Sequence, residues 1–265
     1  MNDLLKIKDL YKIYNPGTAG EVKALDHISF SVNEGDFITI VGSNAAGKST
    51  LFNALAGSLV PTSGDISLEG KSITSMKEYA RARYFSRVRQ NPNDSVIPSM
   101  TLAENMTLAR LRGKKANLSL GVKQSFKEEF AALLKPLGLG LERRLDERID
   151  LLSGGQKQTV ALLMATMIEP KVLLLDEHTA ALDPKVSERV LQITDQIVKE
   201  KQVTTLMITH NIHHALEYGN RLILLERGRI GFEASGEEKK RLTVLDVVER
   251  LETHIAEFEE DIKLK

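Results

Sequence analysis

Apolar and polar positions along residues 4 to 41 fall into short stretches, Leu4 to Tyr14, Ala24 to Val32 and Phe37 to Val41, parted by Asn15-Pro16-Gly17 and Asn33-Glu34-Gly35-Asp36. A period of two puts successive side chains on opposite faces of a strand, and Asn, Pro, Gly and Asp supply turns, so the opening is predicted to be β-rich. After Val41 comes a glycine-bearing loop, then a helix-favouring run from Ser49 to Ala56 that stops at Gly57, which predicts strand, loop, helix. From Asn91 to about Ile168 strand signals vanish, and helices are predicted over Leu102 to Leu111, Gln124 to Leu137 and Gln156 to Ile168. Unbroken apolar runs return at Val172 to Leu175, Thr204 to Thr209 and Leu222 to Leu225, with a helix over Pro184 to Lys199. Continuous apolar strands alternating with helices imply a parallel sheet covered on both faces. In the charged tail from Glu237, the spacing of Leu242, Leu245, Val248 and Leu251 predicts one amphipathic helix.

Composition narrows the class. A chain of 265 residues with 42% apolar content can bury a sizeable core. Its 36 Lys and Arg balance 36 Asp and Glu, so no basic footprint marks a nucleic-acid partner, and none is expected. Cysteine is absent, which removes disulfides, thiolate nucleophiles and Cys-based metal sites and fits a reducing compartment. The longest apolar runs, such as Val160 to Ile168, fall far short of the roughly 20 residues that cross a bilayer. The first residues show no secretory leader, so a cytoplasmic location is expected.

The sharpest local signal is Gly42-Ser43-Asn44-Ala45-Ala46-Gly47-Lys48-Ser49, followed by Thr50, between an apolar strand and a helix. Loop N–H groups and a helix N-terminus converge on an anion, Lys48 adds a mobile charge for the β- and γ-phosphates, and the Ser49 hydroxyl suits Mg²⁺. The run Val172 to Leu175 delivers Asp176 and Glu177 at a strand end, where one carboxylate can hold Mg²⁺ and the next polarise a water. Taken alone, such residues equally serve turns. Leu152-Ser153-Gly154-Gly155-Gln156 precedes a helix and could offer donors to an anion, or Ser153 could simply cap that helix.

Along the chain the phosphate loop, the Leu152–Gln156 signature, the Asp176-Glu177 strand end, Ala180-Ala181-Leu182-Asp183 and a strand-end His210 follow one another, and in that order they resemble the ATP-binding-cassette ATPases, over about Leu5 to Gly231. The resemblance implies an α/β fold: a RecA-like P-loop NTPase core with a mixed or parallel sheet, an N-terminal antiparallel β subdomain and an inserted helical subdomain. On this reading 1–265 is a single ATPase domain, with core 1–90 and 169–231, helical subdomain 91–168 and a C-terminal helical tail 232–265. It further implies ATP and Mg²⁺ as ligands, held by the phosphate loop and, for the metal, by Ser49, Gln90 and Asp176. Tyr14 matches the aromatic that stacks on adenine, with Tyr11 as neighbouring possibility. Glu177, Gln90 and His210 match the residues at the attacking water and γ-phosphate. Ser153, Gly154, Gly155 and Gln156 match the signature that completes the site of a second, head-to-tail copy or paralogue, and Asp183 matches the aspartate communicating between the two sites, though it can also cap the helix at Pro184. His210, His213 and His214 could instead suggest a metal cluster, but they lack the carboxylate of a zinc peptidase motif.

Several positions depart from the family pattern: Ala45 stands where Gly is usual, His178 where Pro follows the Glu, and Thr159 and Met164 where Arg is frequent. The run Asp176 to Pro184 looks like bacterial importers paired with permeases for amino-acid-like solutes. Implied partners are transmembrane permease subunits and an extracytoplasmic solute-binding protein, with the chain peripheral on the inner membrane face. The segment Asn91 to Leu102, with Val96 and Ile97, is expected to form a mobile docking surface for the permease. A soluble cassette ATPase in complex remodelling or iron–sulfur assembly is the alternative, and neither the solute nor the direction of transport is legible.

Overall fold

The computed structural model describes residues 3–112 and 121–263, with side chains up to 253. Residues 113–120 of the expected helical subdomain and 264–265 of the tail lie outside these. Among the described residues the elements are β1 (Leu5–Tyr14), β2 (Val22–Val32), β3 (Phe37–Val41), α1 (Lys48–Ala56), β4 (Ser63–Leu68), β5 (Lys71–Ser72), α2 (Glu78–Arg81) and β6 (Phe85–Val88). They continue with α3 (Leu102–Arg110), α4 (Gln124–Leu134), α5 (Gly154–Met167), β7 (Val172–Asp176), α6 (Pro184–Lys201), β8 (Thr205–Ile208), α7 (Ile212–Glu217), β9 (Arg221–Glu226), β10 (Arg229–Ser235), α8 (Gly236–Arg241) and α9 (Val244–Lys263). The chain divides into two compact units, Met1–Arg81 with Val203–Lys265, and Ala82–Gln202.

In the first unit β1 pairs antiparallel with β2 and β4, and β4 with β5, giving the expected antiparallel sheet. Leu5 and Ile7 are buried in alternation, but the next buried residue is Leu10, because the register slips at Asp9, whose φ of 50° marks a bulge. A second sheet runs β10-β9-β3-β8, with β3 parallel to both β8 and β9 and β10 antiparallel to β9. All five residues of β3 are buried, as a strand covered on both faces requires. Val41, Leu222 and Leu224 pack with Ala215 of α7 and Val247 of α9. The tail differs from expectation: residues 232–235 complete β10, and two helices follow, because Leu242 takes an extended conformation between them. Arg81, fully buried, donates to the carbonyls of Met76, Ala54, Leu55, Ile73 and Thr74, so one guanidinium satisfies the C-terminal end of α1.

The second unit is mainly helical around the parallel pair β6 and β7. Helix α3 opens on a capping box at Thr101 and Glu104, and α5 on one at Ser153 and Gln156. Buried residues surround most of α5, whereas α6 buries only one stripe, including Val190, Ile193 and Ile197. Val96, expected on a mobile surface, is instead core at 7% exposure, while Ile97 is 41% exposed. That loop is pinned by the buried Asn105, whose amide accepts from Ile97 N–H at 2.7 Å and donates to the Ile97 and Thr101 carbonyls at 3.0 Å each.

Candidate functional site

The parallel register of β3 with β8 and β9 aligns three strand ends in the first unit. Ile40 lies opposite Ile208 and Val41 opposite Leu224, so the phosphate loop after β3, His210 after β8 and Glu226 at the end of β9 share the sheet's C-terminal edge. That edge is where open α/β sheets present ligand sites. The loop curls because Ala45 and Gly47 both take left-handed conformations, φ 65° and 99°. A Cβ at Gly42 would run into the Leu225 carbonyl, and one at Gly47 into that of Ala24, so close backbone requires glycine at both positions, and at Gly47 the positive φ requires it as well. Lys48 is buried, and its ammonium donates to the carbonyls of Gly42 and Ser43, both at 2.8 Å. Asn44, Ala45 and Ser49 are exposed, Thr50 is half-buried, and no side chain caps the N-terminus of α1, leaving its N–H groups facing the loop. Ala46 is held from behind, its carbonyl accepting from Gly228 N–H at 2.9 Å. Together these features form a concave anion cradle with a cation in it.

Tyr14 ends β1 half-buried, with the Lys12 ammonium 5.2 Å from its ring centroid. Tyr11 is stacked on His27, centroids 5.3 Å apart, which occupies one of its faces. The three histidines are separated by local structure: His210 is exposed beyond the strand, while His213 and His214 lie in α7, where His214 meets the ring of Tyr218 edge-on.

In the second unit the parallel pairing of Val88 with Leu175 aligns the ends of β6 and β7, bringing Gln90 beside Asp176. Both line a pocket of about 370 Å³ together with Arg87, Arg89 and Asp94. Asp176 is ion-paired with Arg87, which lies across from Leu174 in the register and reaches diagonally to the strand end. Sequence reasoning missed Arg87, because a single Arg in a short strand carries no signal until its neighbour is known. Glu177 follows with φ 46°, its carbonyl accepting from Ala180 N–H at 2.9 Å. His178, where proline is usual, is buried, with Nε2 3.1 Å from the Thr194 hydroxyl of α6, and so ties this turn to a helix.

The signature residues carry both readings offered by the sequence. Ser153 caps α5 by accepting from Gln156 N–H at 3.3 Å, while the Gln156 side chain accepts from Ser153 N–H at 3.1 Å. Ser153 and Gly154 are nevertheless exposed. Gly155 is buried, and a Cβ there would strike Val186 of α6. Asp183 caps α6, accepting from Val186 N–H at 3.2 Å, with Pro184 at the first helical position. The Gln158 amide donates to the Arg89 carbonyl at 3.2 Å, linking α5 to the backbone next to Gln90. Ser49, Gln90 and Asp176 are hard oxygen donors, the kind Mg²⁺ takes alongside phosphate oxygens and water.

Known proteins bear on this geometry. Residues 25–180 match a family described as ABC transporter. The chain is 44% identical over 250 residues to a tyrosine transport ATP-binding protein of Clostridioides difficile, covering 94% of this chain and 99% of that one. It is 34% identical over 249 residues to a xylose/arabinose import ATP-binding protein of Sulfolobus acidocaldarius, covering 94% of each. Among solved structures it resembles MJ1267, an ATP-binding cassette of an ABC transporter in its ADP conformation, at TM-score 0.77 and 30% identity over 94% of this chain and 98% of that one. The dimeric cassette MJ0796 bound to ADP and Pi matches at TM-score 0.73 and 28% identity, covering 87% and 98%. No helix among the described residues is long and apolar enough to cross a membrane. With the phosphate cradle, the signature and the paired carboxylates in this order along the chain, and a family match across more than half of its length, the chain belongs to the ABC transporter family and is an ATPase.

Proposed function

We propose that this chain is the motor subunit of an importer, working as a head-to-tail pair beneath a separate membrane permease. The carrying observation is the preformed phosphate cradle with Lys48 buried inside it. Lys48 exchanges two loop carbonyls for phosphate oxygens, and the N–H groups of the loop and α1 bind the same anion. Tyr14 stacks on the base, and His210 hydrogen-bonds the γ-phosphate. Glu177 orients the attacking water and draws its proton, while Gln90 positions that water and reports nucleotide state. Mg²⁺, held by Ser49, Gln90 and Asp176, would supply charge neutralisation at the phosphates. Ser153, Gly154, Gly155 and Gln156 act on the ATP of the opposite copy, which the exposure of Ser153 and Gly154 supports, and Asp183 relays between the two sites.

Lys48→Ala should abolish nucleotide binding by the monomer and turnover, whereas Ser153→Arg should spare monomer binding and abolish turnover. A fluorescent ATP analogue checks this, and equal loss of monomer affinity in both variants refutes action in trans.

The solute we propose is amino-acid-like, supported by the 44% identity to a tyrosine transport protein. A solute-binding protein would deliver it, and the permease would hold this chain at the inner membrane face. With the permease and binding protein in proteoliposomes, tyrosine or a related amino acid should raise ATPase activity severalfold. Stimulation by xylose and not by any amino acid would overturn the assignment.

A further inference from the structure

The phosphate loop is gripped from beneath by a carboxylate that the motif does not contain. Glu226, the last residue of β9, is 4% exposed, and its two oxygens accept from Ser43 N–H at 3.2 Å and from the Ser43 hydroxyl at 2.7 Å. Ser43 is thereby held at both ends, for its own carbonyl accepts from Lys48 at 2.8 Å and from Ala46 N–H at 3.3 Å. Two residues past Glu226, Gly228 grips the Ala46 carbonyl, so the β9–β10 turn fastens the loop at two points. A buried carboxylate under an anion-binding loop opposes the incoming phosphates electrostatically. That cost is offset only if the carboxylate does something for the loop, and here it accepts both Ser43 donors, neither of which is then aimed at the nucleotide.

We infer that Glu226 is a positioning residue of the ATP site, clamping Ser43 so that the loop is already curled around Lys48 before nucleotide arrives. The inference rests on the phosphate loop being the nucleotide site. Preorganisation of this kind strengthens binding by sparing the ordering of the loop, so it shows in nucleotide affinity more than in the rate of the bound complex. Hydrogen bonds to a charged acceptor also share one fate, since loss of either partner breaks the same link.

The test uses the full chain with a fluorescent ATP analogue, steady-state ATPase assays and thermal melting. Glu226→Gln keeps shape but loses charge and one acceptor, and Ser43→Ala removes only a hydroxyl from a half-buried side chain, so it remains decisive if Glu226→Gln folds poorly. Each should weaken analogue affinity and raise the KM for ATP by roughly three- to tenfold, with kcat within about twofold of the parent. The double variant should be no worse than the poorer single one. Parental affinity in both single variants, or multiplied losses in the double, would overturn the clamp. A uniform fall in melting temperature with no change in affinity or KM would overturn it in favour of a purely structural carboxylate. Failure of the parent itself to bind the analogue would instead refute the nucleotide site, and the clamp with it.

Discussion

Two side chains at the site sit where L-residues are strained. Ala45 at φ 65° and Glu177 at φ 46° both lie in the left-handed region, each within a hydrogen-bonded turn, the first closed by Ala46 N–H on the Ser43 carbonyl at 3.3 Å and the second by Ala180 N–H on the Glu177 carbonyl at 2.9 Å. A non-glycine residue pays roughly 1–2 kcal/mol for that conformation. Replacing Ala45 by Gly removes the strain but frees the unfolded chain by about 0.4–1 kcal/mol. The difference favours glycine by up to about 1.6 kcal/mol, so Ala45→Gly should raise the melting temperature by up to roughly 6 °C. A lower melting temperature would show that the cradle is not strained at Ala45. The substitution was visible in the sequence as a departure from pattern; its left-handed φ was not. His178 was likewise visible only as a missing proline, since its partner Thr194 is fixed by the packing of a helix that begins at Pro184.

Elements were legible where local signals agree. Ser153 and Asp183, read from the sequence as candidate helix caps, are both realised as caps, and the structure adds a Thr101–Glu104 box that opens α3. Strands β4, β5, β6 and β10 are not among those the sequence predicts. β6 has four residues, one of them Arg87, and β10 buries only Ala234 fully, so neither carries a readable period of two. The tail hid another feature: Lys239 of α8 is buried, and its ammonium donates to the carbonyls of Tyr218 and Gly219. Burial pushes its pKa down from 10.5 to about 8. The folded chain therefore binds fewer protons than the unfolded chain between about pH 8 and 10.5, and stability rises with pH there. The penalty is fully present below pH 8 and is lifted as the pH climbs to 10.5. Relative to Lys239→Met, which has nothing to titrate, the parent should gain stability from pH 7.5 to 10 in denaturant titrations. A constant difference between the two would contradict the shift.

At the scale of the whole molecule, the motif order carried the family and the chemistry, because phosphate loop, signature and strand-end carboxylates are short contiguous strings. What the strings could not carry were the long-range partners that set their geometry: Glu226 under Ser43, Arg87 on Asp176, Gln158 on the Arg89 carbonyl. Each joins residues at least 69 positions apart. The central claim is that one chain holds one phosphate loop and one signature that act on different ATP molecules. Blocking hydrolysis while preserving binding should trap the closed pair. Glu177→Gln keeps the size and hydrogen-bonding of the side chain but removes its basicity. Size-exclusion chromatography of Glu177→Gln with saturating Mg-ATP should give a dimer, and the nucleotide-free parent a monomer. A Glu177→Gln chain that binds ATP yet elutes as a monomer would contradict the account.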